Sequence, residues 1–253
     1  MLAFGEDEYQ AALLAFADSL PKPKSILFLS SHSISGDKIH VLKTEKNSIH
    51  HDFLGFPDEL YQIKYECPGD PALSDRVVDL LSSSSFEVET DTDAPLDHGI
   101  WIPLSHLYPK GDVPVVRLSL PLSLDPAQVL KMGHALSALR NEGIMIVASG
   151  GAVHNLKKLE WSKKYSEGAE WAVQFENFIL NALEKKDVEA LLHAPEHPLF
   201  SKAHPSLEHY LPLLFSVGAA LTGDEVSVFF HGIQYQTLSM LCFSLNHAQN
   251  PLH

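Results

Sequence analysis

The chain has 253 residues, of which 45% are apolar, and a formal charge of −14 from 32 acidic and 18 basic residues. That apolar content supports a substantial core, and the acidic balance argues against nucleic acid or an anionic membrane surface as partner. No run of about 18 apolar residues spells a membrane span, and the acidic first eight residues lack the basic start of a secretory signal. Cys67 and Cys242 lie far apart with no CxxC spacing, so neither a disulfide framework nor a zinc ribbon is expected, and a reducing cytoplasm fits.

Residues 7–19 carry an amphipathic, Ala- and Leu-rich helical pattern that Pro21 and Pro23 end. Residues 25–30 read as a buried strand running into Ser31, His32 and Ser33, and residues 38–42 as another strand. Residues 49–57 hold His50, His51 and Asp52 among Phe, Gly and Pro, a mix too irregular for a helix and too apolar for an idle loop. A turn at residues 68–71 leads into a helix to about residue 81, capped by Asp70 or Ser74. Residues 86–90 alternate as a strand, residues 96–104 read as a second mixed aromatic and polar loop, and residues 115–120 form a strand. Asp125 caps the next helix, with Pro126 at its first position.

The strand at residues 144–148 reads as buried on both faces, and it ends in Ser149, Gly150 and Gly151, with His154 just beyond. In open α/β sheets ligands bind at such strand ends. Helices are predicted at residues 170–185, 187–192 and 208–217, the last carrying His209 and Tyr210 in its first turn, with a loop at 193–206. Strands at 225–230 and 237–245 close the chain. The alternation predicts a single α/β domain over residues 1–253, a central mixed and partly parallel sheet flanked by helices.

Nucleotide-binding glycine fingerprints, HExxH and GxSxG are absent. What remains is a set of loop histidines after strands: His32, His50 and His51, His98, His154 and His209. Two or three converging neutral imidazoles would suit Zn²⁺ or Fe²⁺. Asp52 and Asp97 beside them are candidates for orienting the rings or for ordinary helix caps. Phe53, Phe56, Trp101 and Tyr210 are candidates for pocket walls or for core.

Several motifs stand in order along the chain. They are His51-Asp-Phe-Leu-Gly-Phe-Pro-Asp-Glu-Leu-Tyr61, Pro68-Gly-Asp-Pro71, Leu96-Asp-His-Gly-Ile-Trp101, Tyr108-Pro109, Asp112-Val-Pro-Val-Val, Asn141-Glu-Gly, Ser149-Gly-Gly-Ala-Val-His-Asn-Leu156 and Glu208-His-Tyr-Leu-Pro-Leu-Leu214. Together they resemble the class III extradiol ring-cleavage dioxygenases of the 4,5-DOPA dioxygenase type. The resemblance implies a non-haem Fe²⁺ enzyme that opens a catechol-type ring with O₂, with Zn²⁺ a substitute in purified protein. It implies His51 and His209 as metal ligands and His154 as acid/base, also a ligand in zinc forms. His98 would contact substrate, and His32 would lie near the pocket. The family begins with a strand and a His-Gly-Ser-Pro segment whose histidine binds metal. Residues 1–9 match the segment after it, so that strand and ligand are expected before Met1 or lost. With that ligand missing, a metal-binding or interaction protein on the same scaffold is the alternative, and a zinc hydrolase a further one.

Overall fold

A computed structural model describes residues 8–164 and 167–247. The first seven residues, on which the question of the family's opening segment turns, lie outside the described residues. The chain packs as two compact units, one of residues 1–125 and 135–149, the other of residues 126–134 and 150–253.

The first unit holds the sheet. Helix α1 (Glu8–Asp18) precedes strands β1 (Ser25–Ser35) and β2 (Ile39–Leu42), then come α2 (Pro71–Ser83), β3 (Val88–Asp91), α3 (His98–Leu107), β4 (Val115–Pro121) and β5 (Ile144–Ser149). The strand order is β3-β2-β4-β1-β5. β1 runs parallel to both β4 and β5, β2 runs parallel to β3, and β2 meets β4 antiparallel. The sheet is therefore mixed and mostly parallel, as the alternating pattern predicts. Ile26, Leu27, Phe28 and Leu29 of β1 are fully buried, as are Val116, Leu118 and Leu120 of β4. β1, rather than the glycine-ended strand, thus lies inside the sheet: β5 is an edge strand and half-buried along its length. Helix α2 packs on β2 and β3, and α1 packs on α3. Asp70 caps α2 by accepting the Leu73 N–H at 2.9 Å.

Residues 96–104 are not a loop. α3 runs through Trp101 and Pro103. Proline inside a helix costs about 3 kcal/mol or more, and burial of Ile100, Trp101 and Leu104, all 0% exposed, outweighs it.

The second unit is mainly helical. α4 (Pro126–Leu136) contributes its first nine residues, followed by α5 (Glu170–Glu184), α6 (Val188–Leu192), α7 (Phe200–Ala203) and α8 (Leu211–Gly218). Two hairpin ladders follow, β6 (Asp224–Phe230) with β9 (Cys242–His247), and β7 (Ile233–Gln234) with β8 (Leu238–Ser239). The predicted last strand is thus two short ones, each with its own partner. α8 begins at Leu211, so His209 and Tyr210 precede the helix instead of forming its first turn. Among the described residues no helix is long and apolar enough to cross a membrane.

Candidate functional site

In the first unit, chemistry-bearing side chains gather where β1, the loop after β2 and the start of α3 meet. β1 does not stop at Ser30. It continues through His32 to Ser35, with a register shift against β4 between Leu29 and Ile34. Through that irregular stretch Ser31 and Ser33 stay buried while His32 and Ile34 are exposed. The His32 and His98 rings lie 4.1 Å apart, centre to centre. Nδ1 of His98 is 2.9 Å from Oδ1 of Asp52, close enough for an ion pair but not aligned as a hydrogen bond. The same Oδ1 accepts the backbone N–H of His98 at 2.9 Å. Burial pushes the Asp52 carboxyl up, but the His98 imidazole and N–H outweigh it and bring its pKa down to about 2. A proton on Nδ1 facing this carboxylate leaves Nε2 of His98 as the lone-pair nitrogen.

His32, Asp52 and His98 each offer a donor atom, all within 4.8 Å of one another. Two imidazoles and one carboxylate form a donor set that holds a divalent transition metal while leaving positions open.

His51 is in the same unit but outside that group. Its Nε2 lies 3.1 Å from the carbonyl oxygen of Ile63, and its ring packs edge-on to Trp101 at 5.3 Å. Phe53 stands between, its ring 5.8 Å from His98, 5.5 Å from Phe56 and 5.3 Å from Tyr61. Phe53 and Phe56 therefore sit at the site as wall candidates. Trp101 does not: it is fully buried, and its indole N–H is committed to the His50 carbonyl at 3.0 Å.

In the second unit, the rings of His154 and His209 stack 3.6 Å apart and 7° from parallel. Nδ1 of His209 is 3.3 Å from Oε1 of Glu208. Backbone bonds tie the two segments together: Gly151 N–H to the His209 carbonyl at 2.9 Å, and His154 N–H to the Ala203 carbonyl at 3.0 Å. Gly150 is glycine because of this packing and not because of a left-handed turn. A Cβ there would come 2.4 Å from the His209 carbonyl oxygen. Tyr210 is core, 0% exposed, its hydroxyl donated to the Leu191 carbonyl at 2.6 Å.

Behind the stacked pair lies His204, 3% exposed among Phe175, Phe200 and Tyr210. Its Nε2–H donates to the Ala152 carbonyl at 2.9 Å. Burial, with a smaller contribution from nearby His154, lowers its pKa to about 4, against the pull of the Ala152 carbonyl and Glu208. Nothing in the local sequence of His204 singles it out. His32 had a signal, the Ser-His-Ser alternation after an apolar strand, but a strand assumed to stop at residue 30 hides which way the ring leaves.

A family model described as the catalytic LigB subunit of aromatic ring-opening dioxygenase matches residues 7–241. The chain belongs to this family. Among LigB-family relatives, a Beta vulgaris protein named 4,5-DOPA dioxygenase extradiol is 40% identical over 202 residues, covering 79% of this chain and 74% of its own. One of the same name from Escherichia coli K12 is 38% identical over 228 residues, covering 88% and 82%. A 4,5-DOPA dioxygenase extradiol-like protein of Schizosaccharomyces pombe is 33% identical over 211 residues, covering 81% and 70%. The crystal structure of the uncharacterized E. coli K12 protein JW3007 superposes with a TM-score of 0.82 at 32% identity, covering 95% of this chain and 93% of that one. The LigB-family chain is thus an extradiol dioxygenase, an oxidoreductase that takes an aromatic substrate and O₂.

Proposed function

We propose that this dioxygenase opens a catechol-type ring beside its two hydroxyls and that it does so with a divalent metal, Fe²⁺ in the working enzyme and Zn²⁺ as the ion a purified sample takes up in its place. The observation that carries the metal reading is the His32–Asp52–His98 group, three donor atoms within 4.8 Å. The group fits the ion chemically: Asp52 stays ionised far below neutral pH, and His98 turns a lone pair outward once its Nδ1 faces that carboxylate. When bound, such a cation supplies Lewis acidity that lowers the pKa of a catechol's hydroxyls, together with open coordination positions.

The protein's own residues do the rest. His98 has one lone pair, on Nε2, and it would serve the ion. Phe53 and Phe56 shield the reacting ring from water. His154 takes a hydroxyl proton and later returns it, the role its motif has in the family. His51 and His209 remain candidate ligands on the same ground; with Nε2 of His51 facing Ile63, only its Nδ1 would serve.

Anaerobic loading with Fe²⁺, followed by admission of O₂ with a panel of catechols, tests the reading by the absorbance of the ring-opened product. Single alanine variants at His32, His51, His98, His154 and His209 are then assayed for metal content and turnover. His32→Ala and His98→Ala are expected to lose metal and turnover together, and His154→Ala to keep metal and lose most turnover. Metal bound with no ring opening by any catechol would favour a metal-binding protein on the dioxygenase scaffold.

A further inference from the structure

The segment that carries His154 is held from two sides, and the two sides differ. Toward the β7–β8 hairpin its bonds are those of an ordinary antiparallel ladder. Ser239 N–H donates to the Val153 carbonyl at 3.0 Å, and Asn155 N–H to the Thr237 carbonyl at 3.4 Å. On the other side runs the stretch 202–209, from the end of α7 into the turn before α8. The Lys202 carbonyl accepts the Asn155 side-chain Nδ2–H at 2.7 Å, the Ala203 carbonyl the His154 N–H at 3.0 Å, and the His209 carbonyl the Gly151 N–H at 2.9 Å. Going back from 155 to 151, the partners advance from 202 to 209, so this side too runs in an antiparallel sense.

In an antiparallel pairing, a bond from His154 N–H to Ala203 would be followed by one from the N–H of residue 205 to the carbonyl of residue 152. Residue 205 is proline and has no N–H. The Nε2–H of His204 stands in for it, donating to the Ala152 carbonyl at 2.9 Å. The side chain is set for this task. Proline holds the residue before it extended, and His204 has φ −129° and ψ 97°. Its ring is enclosed by Phe175, Phe200 and Tyr210. Nδ1 is buried without a hydrogen-bond partner among the described residues, so the ring's hydrogen bonding is spent on Ala152 alone. Without that bond a nearly buried carbonyl would lose its donor. The chain reaches His154 through Gly150 and Gly151, whose backbone has little stiffness of its own to hold it.

We propose that His204 is a positioning residue: its imidazole replaces the N–H that Pro205 lacks, closes the pairing of residues 151–155 with 202–209, and so keeps the His154 ring stacked on His209. That the stack matters to ring opening rests on the proposal that His154 moves the substrate proton; the stack itself does not. The task needs an N–H at the reach of Nε2. Glutamine supplies one, asparagine falls a bond short, and leucine fills the cage with no donor.

The full chain is compared with its His204→Leu and His204→Gln variants in two measurements. The first uses metal-free protein and NMR. His154→Ala should shift the His209 ring-proton resonances in the wild-type background, because the rings stack 3.6 Å apart. The same substitution should leave them almost unmoved beside His204→Leu, and should shift them as in wild type beside His204→Gln. The second is kcat per folded, Fe²⁺-loaded molecule. His204→Leu is expected to lower it by up to about 100-fold with KM changed less, and His204→Gln to restore most of it. Should His204→Leu fail to fold, His204→Asn carries both comparisons. A His209 shift as large beside the leucine as in wild type would overturn the proposal, and a broken stack with kcat unchanged would overturn its catalytic half. If instead His154→Ala turns over as fast as wild type, the acid/base reading is what fails, and the resonance comparison still decides whether His204 holds the stack.

Discussion

Asp52 does two jobs with one oxygen, and both depend on its charge. It accepts the first N–H of α3 and faces Nδ1 of His98, and these contacts bring its pKa down to about 2. A folded-state value below the ordinary 3.8 means the pair's contribution to stability is present above pH 4 and fades as pH falls from there toward 2. At neutral pH, then, the charge does not titrate, and Asp52→Asn isolates its effect. The neutral amide can still accept the backbone bond but no longer fixes a proton on Nδ1. We expect kcat/KM for ring opening to fall about 10- to 100-fold, with an unfolding midpoint at neutral pH moved far less; steady-state oxygen uptake and a urea titration separate the two. Of the residues involved, His98 stands out in the sequence as one of the loop histidines that follow strands. Asp52 was readable only as a neighbour. That its carboxylate and the His32 ring reach the same point depends on a register shift in β1, and no residue between Leu29 and Ile34 announces one.

Among the elements, those whose hydrophobic period is regular came out where the sequence puts them: α5, β4, β6 and the first half of β1. α3 was hidden because its stabilisation is tertiary. Its proline and aromatic residues disfavour a helix locally, and burial overrides them. β5 reads as buried on both faces because residues 144–148 are apolar, yet among the described residues it stands at the sheet edge, where apolar residues are covered from fewer sides. Helix packing in the second unit shows a further feature that pattern alone does not give. A Cβ on Gly133 of α4 would come 2.1 Å from the Phe215 carbonyl oxygen, and one on Gly218 of α8 2.0 Å from the Leu130 carbonyl oxygen. Two glycines let these backbones touch. Gly218→Ala should therefore destabilise by about 1–3 kcal/mol through overpacking. Thermal unfolding would show this as a Tm lowered by roughly 2–4 °C per kcal/mol, with turnover per folded molecule retained at assay temperatures below the transition. A Tm equal to wild type would mean the helices separate without cost.

At the scale of the molecule, acid stability combines two opposing effects. The chain carries −14 at neutral pH and 15 histidines. Protonating exposed histidines as pH falls reduces the net negative charge and with it the self-repulsion that weakens the compact state. His204 works the other way. Its pKa is about 4 folded against 6.5 for the ordinary side chain, because the aromatic cage excludes water and His154 adds to the effect. Between these values the unfolded chain binds a proton that the folded chain refuses, so stability falls as pH is lowered from 6.5 toward 4. The loss from this one group is up to about 3 kcal/mol. His204→Gln removes the titration and keeps an N–H able to reach the Ala152 carbonyl. Urea titrations at intervals between pH 7 and pH 4 should show the wild type losing stability more steeply than the variant, with the gap opening below pH 6.5 and levelling near pH 4. The exposed histidines are common to both proteins, so their contribution cancels in the difference. Parallel curves over that interval would mean His204 is solvated well enough to protonate in place, and the cage around it would then have to be open to water.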